Sequence, residues 1–211
     1  MVTSSDVLRS PEIDEESATR WRILGAAFET FMERGFAAAS TLEIATRARV
    51  SKRDLYSLVG NKQAMLAACI ADRAKRMQMP ADLPTPRDRG TFEKILAAFG
   101  GQLVEEISEP KVIAVFRLAI AEAIHSSEVA QLLDSIGRKT VQTALRDFMS
   151  RARSAGLIEG DAAQLAEQFN GLLWGDLLGS LLLGVANRPS KREIAKRAQA
   201  AAAGFLRMNP I

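Results

Sequence analysis

Between Val50 and Lys62 the chain reads VSKRDLYSLVGNK, which sets three cations, Lys52, Arg53 and Lys62, against one carboxylate, Asp54. The only tyrosine of the chain, Tyr56, stands among them beside Ser57. Ammonium and guanidinium groups interleaved with hydroxyls are suited to holding an anion, because the cations supply charge and the hydroxyls supply directed hydrogen bonds. Covalent chemistry is a poorer match anywhere in the sequence. One histidine and one cysteine in 211 residues leave no paired base and nucleophile and no metal-spaced set. Neither a Gly-rich phosphate loop nor an acidic pair at glycosidase-like positions is present. The sequence therefore argues against an enzyme, and it implies no cofactor and no metal.

The elements that must position these residues carry an uneven charge. Residues 1–16 hold one cation against five acids, or −4, and residues 17–76 hold eleven against five, or +6. Residues 77–211 hold sixteen against fifteen, or +1. The overall +3 hides a positive field confined to one N-terminal block, where it can attract a polyanion. At 47% apolar residues the chain can bury a continuous core without staples. A lone cysteine forms no internal disulfide and the start of the chain lacks a secretory n-region and h-region, so a cytoplasmic setting is expected.

Helical spacing recurs almost throughout, whereas no convincing alternation of apolar and polar residues and no Asn-Gly or Asp-Gly hairpin signal appears, so the expected fold class is all-α. Residues 1–16 read as an acidic flexible arm. Ile23, Leu24, Ala27, Phe28 and Phe31 form the stripe of a first helix closed by Gly35. Thr41 is placed to cap a short second helix ending near Ala48, and Ser51 a third through Leu58, closed by Gly60. Asn61 opens a fourth that keeps its period to about Met79, and Pro80, Pro84 and Pro86 form a linker. Further helices are expected over about 91–108, 111–125, 127–154, 161–186 and 190–207. The run GLLWGDLLGSLLLGV is interrupted by Asp176 and falls short of the roughly 20 residues a bilayer span needs, so it reads as a buried helix and no membrane partner is expected.

Counted from Thr41 as position one, the apolar residues that hold a helix-turn-helix together belong at positions four, eight, ten, fifteen and eighteen, with a small residue at five. Ile44, Ala48, Val50, Leu55 and Leu58 occupy those positions, and Ala45 the small one. Lys52, Arg53 and Tyr56 then fall on the outer face of the second helix, within reach of phosphates and base edges in a major groove. The competing reading of the same residues is a basic, solvated turn between two short helices.

This stretch resembles the N-terminal DNA-binding domain of TetR-family transcriptional regulators. ILGAAFETFMERGF resembles the first helix of that family, STLEIATRARVSKRDLY its reading unit, and YSLVGNK its closing Tyr-x-x-Phe-x-x-Lys. More faintly, RLAIAEAIHSSEVAQLLDSIGRKT followed by GLIEGDAAQLAEQF resembles the C-terminal domain of the AefR-like branch. The resemblance implies a three-helix DNA-binding domain over 17–77, joined by a fourth helix to an all-helical effector-binding and dimerisation domain over 78–211. It implies a homodimer that represses transcription from a palindromic double-stranded DNA operator until a small hydrophobic or amphipathic effector binds. Carried over by position, it gives Thr41, Lys52, Tyr56 and Lys62 as phosphate contacts, with Lys52, Arg53 and Ser57 nearest the bases.

Three residues depart from the family pattern. Arg49 stands where the turn usually has glycine, at a cost of roughly 1 kcal/mol or more if the turn keeps its positive φ; either the turn differs, or Arg49 is tolerated because its charge faces the DNA. Val59 replaces a phenylalanine that anchors the fourth helix. Asp54 replaces a small residue on the reading helix, where a carboxylate is either a specificity determinant accepting from cytosine or a local penalty against phosphate.

In the C-terminal half, Phe99, Leu103, Phe116, Ile120, His125, Phe148, Phe169 and Trp174 are the larger candidates to line an effector cavity, against the alternative that they are ordinary core. His125 also fits a helix end, and Glu122 and Asp176 either pair with a polar effector group or face solvent. Cys69, within an apolar pattern, reads as a buried thiol or a redox sensor. The run from Gly171 to Gly184 is apolar nearly all round, and Ile194, Ala198, Ala201 and Phe205 offer a second stripe, so the last two helices are the expected dimer surface. The rival function is an all-α protein-interaction module without specific DNA binding.

Overall fold

The computed structural model describes residues 15–78, 86–125 and 127–211. The arm through residue 14, Met79, and Pro80 and Pro84 of the expected linker lie outside them. Helices and their connecting turns make up the described residues, and no strand occurs among them. By its internal contacts the chain divides into two compact units, one ending at Cys69 and the other beginning at Ile70. The division falls inside the fourth helix and not after it at residue 77, where the sequence placed it.

The first unit contains α1 (Glu15–Arg34), α2 (Thr41–Ala48), α3 (Lys52–Leu58) and the first part of α4 (Lys62–Lys75). Glu15 and Glu16, read from sequence as part of the arm, instead open α1, where their carboxylates complement the helix dipole. Ile23, Ala27, Phe31, Ile44, Leu55, Met65 and Leu66 are buried at the centre, and the Phe31 and Phe36 rings lie 5.3 Å apart. The cap of α2 is Ser40, one residue earlier than expected: its Oγ accepts from the Glu43 N–H at 3.1 Å. Asn61 does open α4, accepting the Ala64 N–H at 2.9 Å.

The second unit is built from α5 (Arg89–Ile107), α6 (Pro110–Glu122), α7 (Glu128–Leu132), α8 (Lys139–Ser154), α9 (Ala162–Trp174), α10 (Leu177–Leu183) and α11 (Lys191–Met208). A π-helical segment, Leu133–Arg138, makes α7 and α8 one continuous rod, as the sequence expects over 127–154. The single helix expected over 161–186 is instead two. Gly175 adopts φ 47° and ψ −122°, which breaks the helix there, and Gly184 ends α10 at φ 76°. The freed carbonyls of Leu173 and Trp174 both accept from Arg197 Nη1 at 3.1 Å. Phe92, Phe148, Phe169 and Phe205 are buried together, with ring centroids 5.2 to 6.3 Å apart. Gly100 is needed where α5 crosses α9, since a Cβ there would lie 3.0 Å from Phe169 Cζ and 3.1 Å from Leu173 Cδ1.

Candidate nucleic-acid interface

The turn between α2 and α3 sets the direction of the reading helix. Arg49 takes φ 55° and ψ 47°, its N–H donates to the Thr46 carbonyl at 3.1 Å, and the Val50 N–H reaches back to the Ala45 carbonyl at 3.0 Å. This is the glycine-type helix ending made by an arginine. The turn therefore keeps the family geometry, and the backbone strain expected of Arg49 is present. Ile44, Ala45, Ala48 and Leu55 are buried beneath it, while Val50 and Leu58 are half-buried.

On α3 the Ser51 hydroxyl caps the helix by accepting the Asp54 N–H at 3.0 Å, and it donates to Asp54 Oδ2 at 2.6 Å. This pairing gives Asp54 a local role beyond the two expected of it: its carboxylate closes the first turn of the helix, where negative charge is favourable. Lys52 and Arg53 are exposed and enter no ion pair among the described residues, and Lys52 Nζ sits 5.9 Å from the Tyr56 ring centroid. The Tyr56 and Thr41 hydroxyls lie 3.3 Å apart, so the start of α2 and the outer face of α3 present their oxygens at one point. Ser57 is exposed beside them.

Lys62 is placed differently. Its ammonium donates to the carbonyls of Phe36 at 2.9 Å and Ala37 at 3.1 Å and stands 5.1 Å from the Phe36 ring. The residue ties α4 to the α1–α2 connection, and Phe36 supplies the aromatic contact while Val59, where the family has phenylalanine, is half-buried. Four α1 and α2 arginines are likewise engaged. Arg20 donates to the Leu58 carbonyl and Arg22 to that of Ala48, Arg34 pairs with Glu43 at 3.4 Å, and Arg47 makes a fork to Glu33 at 2.9 and 2.6 Å. The Arg47 hydrogen bonds hold the Glu33 carboxyl below its ordinary range. Cys69, read as buried or redox-active, is half-buried and its thiol lies 3.6 Å from the Leu24 carbonyl.

The matching family models cover both halves of the chain. Residues 23–69 match the model of bacterial regulatory proteins of the tetR family, and residues 94–208, more than half of the chain, match the C-terminal domain of AefR-like transcriptional repressors. The chain belongs to the TetR family of transcriptional regulators. The HTH-type transcriptional regulator YvkB of Bacillus subtilis (strain 168) is 26% identical over 167 residues, covering 79% of this chain and 85% of that protein. Among solved structures, a TetR regulator from Agrobacterium tumefaciens is 26% identical with a TM-score of 0.73, covering 95% of each chain. The flavonoid-responsive regulator FrrA is 27% identical with a TM-score of 0.73, over 91% of this chain and 97% of that one. Its helix-turn-helix makes this TetR-family chain a DNA-binding regulator, and no helix of the described residues is long and apolar enough to cross a membrane.

In the C-terminal half of this TetR-family chain, the eight cavity candidates do not converge. Phe99, Leu103, Phe148, Phe169 and Trp174 lie in one buried core, Phe116 is half-buried, and Ile120 and His125 are exposed near the end of α6. Asp176 is also exposed, in the break between α9 and α10, and Glu122 is half-buried at the end of α6. The stripe of Ile194, Ala198, Ala201 and Phe205, assigned from sequence to a partner subunit, is corrected: all four are buried within their own unit, on the helix that packs along α5. Gly171 and Gly179 do face open space, with nothing within 4 Å of where a Cβ would stand, and Leu183 is 80% exposed. Sequence reasoning missed an open groove of about 500 Å³ between α5 and α11 that holds Lys94 and Lys191, because its small residues Ala97, Gly101 and Ala195 carry no chemical signal of their own.

Proposed function

We propose that this chain is a homodimeric repressor that leaves a palindromic operator when a small apolar or amphipathic molecule binds its C-terminal unit. The observation that carries the reading is the outer edge of the helix-turn-helix. Lys52 and Arg53 stand free of ion pairs on a helix capped by Ser51, with the Thr41 and Tyr56 hydroxyls 3.3 Å apart alongside. Free cations above paired hydroxyls suit a phosphate backbone, and the N-terminal residues of α3 suit base edges. Thr41, Lys52 and Tyr56 are proposed as phosphate contacts and Lys52, Arg53 and Ser57 as the residues nearest bases. Asp54 holds the helix start, and Lys62 supports the backbone contact by fixing the start of α4.

For the dimer, Gly171, Gly179 and the exposed Leu172 and Leu183 form an apolar face that a second copy would cover, giving two reading heads and a two-fold operator. The effector domain runs from within α4 to the C-terminus, and its ligand-binding residues are proposed from Phe99, Leu103, Phe116, Phe148, Phe169 and Trp174. Likeness to a flavonoid-responsive regulator favours planar aromatic compounds in a first ligand screen. The test is the Lys52→Ala, Tyr56→Ala double variant on a duplex selected from a random-sequence library by the wild-type protein. Affinity should collapse to that for scrambled DNA while the sedimentation mass stays that of a dimer. Unchanged affinity would refute the assignment of α3.

A further inference from the structure

We infer that Arg49 is an additional contact to the DNA backbone, retained in a strained turn for that purpose; the inference rests on the proposed DNA-binding reading. Among the described residues Arg49 is the only non-glycine with positive φ, at 55°. Glycine would make the same turn without the Cβ penalty, and the turn's two backbone hydrogen bonds use only main-chain atoms, so nothing in the fold requires an arginine side chain here.

The surroundings show that this side chain's charge is left unmatched. In the first unit Arg20, Arg22, Arg34, Arg47 and Lys62 each donate to a carbonyl or a carboxylate. Arg49 is exposed and has no such partner among the described residues, a state it shares there with Lys52 and Arg53, so the three unengaged cations fall within five consecutive residues at the start of the reading helix. Arg49 also lines an open groove of about 550 Å³ with Ser51, Asp54 and Ser57. Of the carboxylates on that groove, Asp54 is held by Ser51, and neither Glu15 nor Glu16 forms an ion pair with Arg49. The turn precedes α3, outside the helix that enters the groove of the duplex, which directs a long guanidinium to flanking phosphates and not to bases.

The experiment compares wild type, Arg49→Gly, Arg49→Lys and Lys52→Ala on the selected duplex and on a scrambled duplex, by fluorescence anisotropy from about 50 to 300 mM salt. Arg49→Gly should raise the melting temperature, because the strain is relieved. It should also weaken both duplexes about 5- to 20-fold at low salt and reduce the log–log salt slope by about one for each half-site. Arg49→Lys should keep most of the wild-type slope. An unchanged slope in Arg49→Gly while Lys52→Ala loses affinity overturns the Arg49 contact alone. If Lys52→Ala is also without effect, the DNA-binding assignment of this surface falls with it.

Discussion

Removing one oxygen from Tyr56 tests the interface with little disturbance to the fold. Tyr56 is 45% exposed and its hydroxyl touches Thr41 Oγ1 at 3.3 Å, so Tyr56→Phe should leave stability within about 0.5 kcal/mol of wild type. Under the proposed phosphate contact the lost hydroxyl is a donor to a charged oxygen, worth about 1.5 to 3 kcal/mol. A two-fold dimer loses it twice, so the expected weakening is about 3 to 6 kcal/mol, or roughly 10² to 10⁴ in Kd. The salt slope should not move, because no charge is removed, which separates this variant from Lys52→Ala. Since Thr41 and Tyr56 meet at one point, Thr41→Val combined with Tyr56→Phe should cost clearly less than the two single effects added. Anisotropy titrations at several salt concentrations measure all of this. A Tyr56→Phe variant that binds within about twofold of wild type, or strict additivity with Thr41→Val, would refute the shared phosphate site.

Two further predictions concern what holds each unit together. Arg89 donates to the carbonyls of Leu157, Leu206 and Asn209 at 2.8, 2.7 and 2.8 Å, latching the end of α11 to the start of α5, so Arg89→Ala should lower unfolding free energy by about 3 kcal/mol or more in urea titrations. Arg47 hydrogen bonds depress the Glu33 carboxyl, and a depressed acid stabilises above its unfolded-state value and loses that contribution as pH falls through the folded one. Wild type should therefore melt above Glu33→Gln at neutral pH, and the gap should close as pH drops below 4.5, the ordinary glutamate value, in thermal scans.

What the sequence made legible was periodic. The stripe of Ile23, Leu24, Ala27 and Phe31 and the spacing from Ile44 to Leu58 recur in the structure because burial repeats every three or four residues. Single-residue decisions were harder to read. Ser40 and Thr41 are both good caps, and only the hydrogen bond to Glu43 N–H selects the first. Gly171 and Gly179 lie in helix while Gly175 breaks one, although all three share the same leucine-rich surroundings; the difference lies in φ and in Arg197, which comes from a different helix to receive the freed carbonyls. Partners of that kind, distant in sequence, leave no local trace. The same holds for the stripe on α11, whose period announces a buried face without saying whether its own subunit or another covers it.

The charge map shows why counting cations overstates a nucleic-acid footprint. Among the described residues, six arginines end on backbone carbonyls near helix C-termini: Arg20 on Leu58, Arg22 on Ala48, Arg117 on Leu181 and Leu182, Arg188 on Glu105, Arg197 on Leu173 and Trp174, and Arg89 on Leu206. The last carbonyls of a helix lack intrahelical donors and carry partial negative charge, so a long guanidinium from a neighbouring helix satisfies both needs at once. Such arginines are fold elements, and their donors are committed where they sit. In the DNA-reading unit this use, together with the Arg34 and Arg47 pairs and the Lys62 clamp, leaves Arg49, Lys52 and Arg53 as the unmatched cations among the described residues. On the proposed reading, the cations left to meet DNA form one short run at the tip of the helix-turn-helix and not the whole basic block. A field that narrow falls off quickly away from its axis, which favours binding with the reading helix already aimed at the groove.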